Sequence, residues 1–148
     1  MYTLERTLVV PRPIDEVFPF FADAANLERL TPPLVGFTIL TPPPIVMQTG
    51  TLIDYKIRVN GIPLRWRTLI ESFDPPHSFV DTQLRGPYAH WHHTHTFHEV
   101  SGGTELGDRV EYALPLGPLG KIAHALFVKR QLRTIFDYRA QVMRELFG

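Results

Sequence analysis

Prolines partition this chain more sharply than any other feature. All fourteen lie between Pro11 and Pro118, and none follows. From Lys121 to Phe147 there is neither Pro nor Gly, and most residues are strong helix formers. Apolar residues recur there at helical steps: Ile122, Leu126, Leu132, Ile135, Phe136, Val142, Met143 and Leu146. The pattern predicts one continuous helix of about 27 residues, roughly 40 Å long. The turn-rich string Pro115-Leu116-Gly117-Pro118-Leu119-Gly120 delivers the chain into it.

Upstream the period changes to two. In residues 51–59, Ile53, Tyr55, Ile57 and Val59 alternate with Asp54, Lys56 and Arg58. Asn60-Gly61 is a strong hairpin signal, and residues 64–73 form the return strand. Further strands are expected over 77–85, 88–100 and 104–114, separated by Gly86-Pro87 and Ser101-Gly102-Gly103. Ahead of them come a strand over 3–10, a helix over Ile14–Phe21, and a second short helix containing Asn26, Leu27 and Leu30 that Asp23 can cap. Residues 35–40 form a short strand before the stiff Thr41-Pro42-Pro43-Pro44. An antiparallel sheet with one apolar face needs cover, and only the C-terminal helix is large enough to supply it. The expected fold is α+β: a curved antiparallel sheet wrapped around the long C-terminal helix, with two short helices between strands one and two. The length of 148 residues suits one domain spanning 1–148.

Composition removes several function classes. Without cysteine there is no disulfide, thiolate metal site or cysteine nucleophile. Lys+Arg and Asp+Glu both number 15, so bulk charge predicts neither nucleic acid nor an anionic membrane as partner. The first residues lack a secretory pattern and no apolar run is long enough to span a membrane, so the expectation is a soluble cytoplasmic protein without stable membrane insertion. There is no Gly-x-Ser-x-Gly, phosphate loop or dinucleotide fingerprint, and no cofactor is expected. The C-terminal helix carries Lys121, Lys129, Arg130, Arg133, Arg139 and Arg144 against Asp137 and Glu145. A solvated face is the default reading; contact with an acidic lipid headgroup or a partner protein is the alternative.

The element order resembles the helix-grip fold of the START-like (SRPBCC) superfamily, which includes birch-pollen-allergen proteins, polyketide cyclases/aromatases and lipid-transfer START domains. Pro13-Ile14-Asp15-Glu16-Val17-Phe18, Asn26-Leu27, Thr31-Pro32-Pro33, Gly86-Pro87, Trp91-His92-His93, Phe97, Asp108-Arg109-Val110 and the 115–120 loop resemble its bacterial single-domain, ligand-binding or polyketide cyclase/dehydrase-like branch. The resemblance implies a cavity between sheet and helix, and this superfamily hosts both carriers and enzymes.

Strand parity selects what faces that cavity. The candidate ligand-binding residues are Tyr55, Trp66, Phe79, Asp81, Gln83, Trp91, His93, His95, Phe97, Asp108 and Tyr112, joined from the helix by Ile135 and Arg139. Trp66, Ile70 and Phe97 read first as core packing, with ligand contact as the alternative. Asp81 and Asp108 must be paired, protonated or solvated, and pairing with His93 or His95 is the structural alternative to a functional role. His90, His92 and His98 fall on the opposite, wet face. His93-Thr94-His95 has the spacing of two metal ligands, with Asp81 or Asp108 as a third, yet no metal is expected. Two functions follow. The first is binding of a hydrophobic small molecule (lipid, isoprenoid/quinone or polyketide-like), its polar end near His93, Asp108 and Tyr112. The second is a cyclase/aromatase-type enzyme with catalytic candidates His93, His95 and Asp108, in which His93 or His95 is the base and Asp81 or Asp108, raised by burial, the acid. A weak homodimer stays open.

Overall fold

The structure, a computed structural model, describes residues 1–59 and 61–148. Seven antiparallel strands form one sheet in the order β1-β7-β6-β5-β4-β3-β2. They are β1 (Tyr2–Val10), β2 (Thr38–Ile39), β3 (Leu52–Val59), β4 (Ile62–Asp74), β5 (Ser78–Arg85), β6 (His90–Val100) and β7 (Gly103–Ala113). The alternation read from the sequence is the alternation of burial: Ile53, Ile57, Trp66, Ile70, Phe79, Phe97, Leu106 and Val110 are buried on one face. β3 and β4 pair from Val59↔Ile62 outward, with Gly61 at φ 80° in the turn; Asn60 of the expected Asn60-Gly61 turn lies outside the described residues. The strand expected over 35–40 shrinks to β2, because Pro33–Val35 takes a 3₁₀ turn first.

Between β1 and β2 lie the helices α1 (Ile14–Phe21) and α2 (Leu27–Leu30). Asp15 and Glu16 sit in the first turn of α1, where the helix dipole favours acids. The Asp23 carboxylate accepts from Ala25 N–H at 3.0 Å, capping a 3₁₀ turn over Ala24–Asn26 that leads into α2. α1 drives Phe18 and Phe21 into one end of the grip. There they meet Phe97 at ring distances of 5.0 and 5.3 Å, backed by Val10, Phe79, Leu106 and Met143. That end is solid core.

The C-terminal helical run starts at Pro118, earlier than expected, and it is not one uniform helix. α3 (Pro118–Ala123) passes through a wide π turn over His124–Val128 into α4 (Lys129–Phe147). A π turn takes one more residue than an α turn, so it rotates the stripe that precedes it. Leu132, Phe136, Arg139 and Met143 are buried in α4, whereas Ile122 and Leu126, expected to face inward, are exposed. His124 takes the inward place. Its ring stacks on Tyr2 at 3.5 Å, and its Nε2 lies 2.8 Å from the Tyr112 hydroxyl. Gly120 permits the close start of α3, since a Cβ there would meet the Pro115 carbonyl oxygen at 2.2 Å.

Phe97→Ala should cost about 3–5 kcal/mol of unfolding free energy in denaturant titration, since it empties the solid end of the grip. Leu126→Ser, on the outward side of the π turn, should stay within about 0.5 kcal/mol. Equal losses at the two positions would contradict this placement.

Candidate functional site

A cavity of about 380 Å³ lies between the concave face of the sheet and the C-terminal helical run. Its walls are largely apolar: Tyr55, Ile57, Trp66, Ile70, Trp91, Leu132, Ile135 and Phe136 all border it. Thr68 is the small polar anchor of one wall. Its hydroxyl accepts from Trp66 Nε1 at 3.0 Å and lies 2.9 Å from the Tyr55 hydroxyl, while the Tyr55 and Trp66 rings stack at 5.9 Å. The indole N–H is therefore satisfied within the wall, which leaves ring surface toward the space.

The polar side of the cavity is formed by Asp81, His93 and Arg139. They belong to a larger buried network. His93 and His95 point the same way from β6, two residues apart, with rings stacked at 3.7 Å. In the register, Asp81 on β5 is opposite His93, and Asp108 on β7 is opposite His95. The hydrogen bonds run along the diagonals instead: His95 Nε2 to Asp81 Oδ2 at 2.5 Å, and His93 Nε2 to Asp108 Oδ1 at 2.8 Å. From α4, Arg139 Nη2 donates to His95 Nδ1 at 3.3 Å and lies 3.5 Å from Asp108 Oδ1. A guanidinium only donates, so His95 Nδ1 must be the bare nitrogen and Nε2 carries the proton toward Asp81.

The electrostatics follow from this arrangement. Burial opposes ionisation of Asp81 and Asp108 more than any single neighbour favours it. His93, His95 and Arg139 together nevertheless hold both carboxyls below the usual carboxylate range. Burial, helped by neighbouring His93 and Arg139, pushes His95 down to about 4, so it is neutral near pH 7. The expectation that burial would raise Asp81 or Asp108 into an acid is reversed, because a cation and two imidazoles share their pocket.

The candidate residues do not all reach the cavity. Tyr55, Trp66, Phe79, Asp81, Trp91, His93, Ile135 and Arg139 line it; Gln83, His95, Phe97, Asp108 and Tyr112 do not. Gln83 is used up by a backbone clamp, donating to Tyr88 O at 2.7 Å and accepting from Tyr88 N–H at 3.0 Å. Phe97 fills the solid end, and His95 and Asp108 form the layer that supports Asp81, His93 and Arg139. Tyr112 turns away to His124, so the polar group expected around His93, Asp108 and Tyr112 separates into two clusters. Thr68, inward by parity, borders the cavity as expected, and so does Arg58, expected on the opposite face; Tyr88 and the rim loops around Val35–Phe37 and Leu114–Gly120 border it without having been singled out. The rim loops have no period to read.

Asp81, His93 and His95 place one potential ligand atom each within 4.8 Å of the others, which makes them a candidate metal centre. Their hydrogen-bonding state fits a metal poorly. His95 Nε2 is bonded to Asp81 itself and its other nitrogen faces the Arg139 guanidinium, which already supplies the positive charge, so only His93 Nδ1 is left without a hydrogen bond.

Over residues 1–147 the sequence matches the family model described as polyketide cyclase / dehydrase and lipid transport. No curated protein matches the sequence. Among solved structures, the protein TTHA0849 from Thermus thermophilus is similar with a TM-score of 0.76 and 14% identity, covering 97% of this chain and 95% of that one. A START superfamily protein from Mycobacterium smegmatis gives 0.71 at 12% identity, with coverage of 99% and 97%. The Zhui aromatase/cyclase from Streptomyces sp. R1128 gives 0.69 at 16% identity, with coverage of 98% and 95%. These likenesses confirm the helix-grip fold. Among the described residues no helix is long and apolar enough to cross a membrane.

Two measurements test the network. His95 has a folded pKa below its ordinary value of 6.5, so the unfolded chain binds more protons between pH 6.5 and about 4. Its contribution is full above that window and is lost as the pH falls through it. Asp81 and Asp108, also lowered, add stability that is present above their ordinary 3.8 and lost as acid titrates them below it. Thermal midpoints should therefore fall on acidification from pH 7 to 4, and His95→Gln should flatten that slope; a level profile in the native protein would refute the assignment. Separately, Asp108→Asn removes the carboxylate charge from beside buried Arg139 and should cost about 3–5 kcal/mol in denaturant titration. A loss below about 1 kcal/mol would show the network to be slack.

Proposed function

Because the chain belongs to the polyketide cyclase / dehydrase and lipid transport family, we propose that it binds one hydrophobic small molecule, of lipid, isoprenoid, quinone or polyketide-like character, between sheet and helix. The observation that carries the proposal is the cavity itself: about 380 Å³ of mostly apolar space, with Asp81, His93 and Arg139 gathered on one side and Thr31, Arg58, Thr68 and Gln131 elsewhere on the lining. That volume falls at the small end of ligand pockets, and the distribution of polarity is typical of them. One donor awaits a partner. Arg139 borders the cavity, and its Nε–H is buried with no hydrogen-bond partner among the described residues. A carbonyl or hydroxyl oxygen on the ligand would satisfy it and fix the ligand's polar end there, rather than at Tyr112.

Binding without turnover is favoured by the state of the polar groups. A general acid must hold a proton near pH 7, and both carboxyls are held ionised. A general base must present a free nitrogen. His93 directs Nε2 at Asp108, and its Nδ1 lies 3.6 Å from Asp81 Oδ2, too far for a hydrogen bond, so Nδ1 is the one imidazole nitrogen the network leaves uncommitted, with no protonated acid beside it. The cyclase/aromatase reading keeps the same cavity and would use His93 Nδ1 as the base, with Asp108 orienting the ring through Nε2.

Native mass spectrometry of freshly purified protein should reveal a co-purifying apolar compound. An apolar fluorescent probe should brighten on binding, and Ile135→Trp, which fills the space, should abolish that uptake while the melting midpoint survives. Equal uptake by the Ile135→Trp protein would place the probe elsewhere and overturn the reading. Conversion of an added polyketide-like compound, lost in His93→Gln, would establish the enzymatic alternative.

A further inference from the structure

The rim of the cavity has an outer side. From the loop after β7 through the π turn, five large apolar residues are exposed: Leu116 at 74%, Leu119 at 66%, Ile122 at 55%, Leu126 at 63% and Phe127 at 63%. Leu119, Ile122 and Leu126 are spaced three and four apart, so they form one stripe on the outside of the helical run. The π turn contributes to this directly, since the inward place is taken by His124 and the stripe is turned to solvent. Leu116 holds φ 71°, a left-handed conformation costly for a residue with a side chain. Burial within the chain does not account for any of these placements. Exposed apolar residues clustered along one segment in this way are a candidate interaction surface.

Charge identifies the partner. Between Glu111 and Asp137 there is no carboxylate, whereas Lys121, Lys129, Arg130 and Arg133 all fall in this stretch and are exposed. Lys129, Arg130 and Arg133 continue the stripe one and two turns past Leu126. Aliphatic and aromatic residues bordered by cations, with no anion among them, are complementary to the headgroup layer of an anionic bilayer. A second copy of the chain fits worse: a two-fold interface would set this patch on itself and bring its four cations together.

We propose that the Leu116–Phe127 surface docks the protein on an anionic membrane, with Lys121, Lys129, Arg130 and Arg133 on the headgroups and the apolar stripe in the boundary below them. The same loop borders the cavity. Leu116 and Leu119 are at once cavity wall and outer stripe. Docking therefore turns the rim toward the acyl layer, and an apolar molecule passes between bilayer and cavity without crossing water. This rests on the ligand-binding reading, but it is measured independently of it. The attachment is peripheral, as no helix is able to span the bilayer among the described residues.

The test is co-sedimentation with vesicles of phosphatidylglycerol and phosphatidylcholine, against phosphatidylcholine alone, with probe uptake measured in parallel without vesicles. The native protein should sediment with the anionic vesicles, at least about tenfold more weakly with neutral ones, and should be released by high salt. Lys129→Glu with Arg130→Glu, and separately Leu126→Ser with Phe127→Ser, should each weaken attachment about tenfold. None of these four residues lines the cavity, so both variants should take up probe normally, which also shows that they fold. Native protein that takes up probe but ignores anionic vesicles overturns the docking proposal alone. So does a Leu126→Ser, Phe127→Ser protein that binds vesicles like the native one, or one whose only change in light scattering is the loss of a dimer. Absent probe uptake would instead refute the cavity reading, whatever the vesicles do.

Discussion

A buried guanidinium held by His95 and Asp108, within a network of two histidines and two aspartates, joins the halves of this fold. Arg139 projects from the long helix into the face of the sheet, where Asp81, His93, His95 and Asp108 come from three adjacent strands. Buried charges are tolerated only when paired and hydrogen-bonded, so the helix cannot slide or rotate far without stranding Arg139 or a carboxylate. The diagonal bonds add a second constraint. Each imidazole bridges to the strand on one side, so the register of β5, β6 and β7 is tied together by side chains as well as backbone.

That network also divides the interior. On one side of it, Phe18 and Phe97 pack with Leu106 and Met143 and the space is full, while Phe21 and Phe79 stand at the boundary, touching both this core and the cavity. On the other, Trp66, Tyr55 and Trp91 stand along the wall and the space stays open. The network has one layer against core and one against cavity: His95 stacks on Phe79 at 4.0 Å, whereas His93 meets Phe136 and Trp91. A polar cluster in that position ties sheet to helix with its inner members and turns Asp81, His93 and Arg139 toward the cavity with the others.

The helical run shows how a tertiary contact overrides a local pattern. Its apolar residues predict one uniform stripe that includes Ile122 and Leu126. The stripe holds from Leu132 to Met143 but fails before it, because the Tyr2–His124–Tyr112 cluster draws His124 inward and the π turn supplies the extra residue. Bulk charge was similarly uninformative: a sum of zero conceals a segment with four cations and no anion, legible in the sequence, and the structure adds only that all four are exposed beside an apolar stripe.

Local periodicity by itself determined the strands, the one face they bury, and the presence of a long closing helix, since each depends on side-chain direction over a few residues. It assigned His93, His95, Asp81 and Asp108 to one face and His90, His92 and His98 to the other. Parity cannot say where along that face the space is filled and where it is open. His95, Phe97 and Asp108 share the concave face with His93 and Trp91, yet only the latter two border the cavity. That division, the capture of Gln83 by the Tyr88 backbone and the withdrawal of Tyr112 to His124 were decided by the tertiary structure. They depend on groups brought together from distant parts of the chain, and no short-range pattern records such meetings.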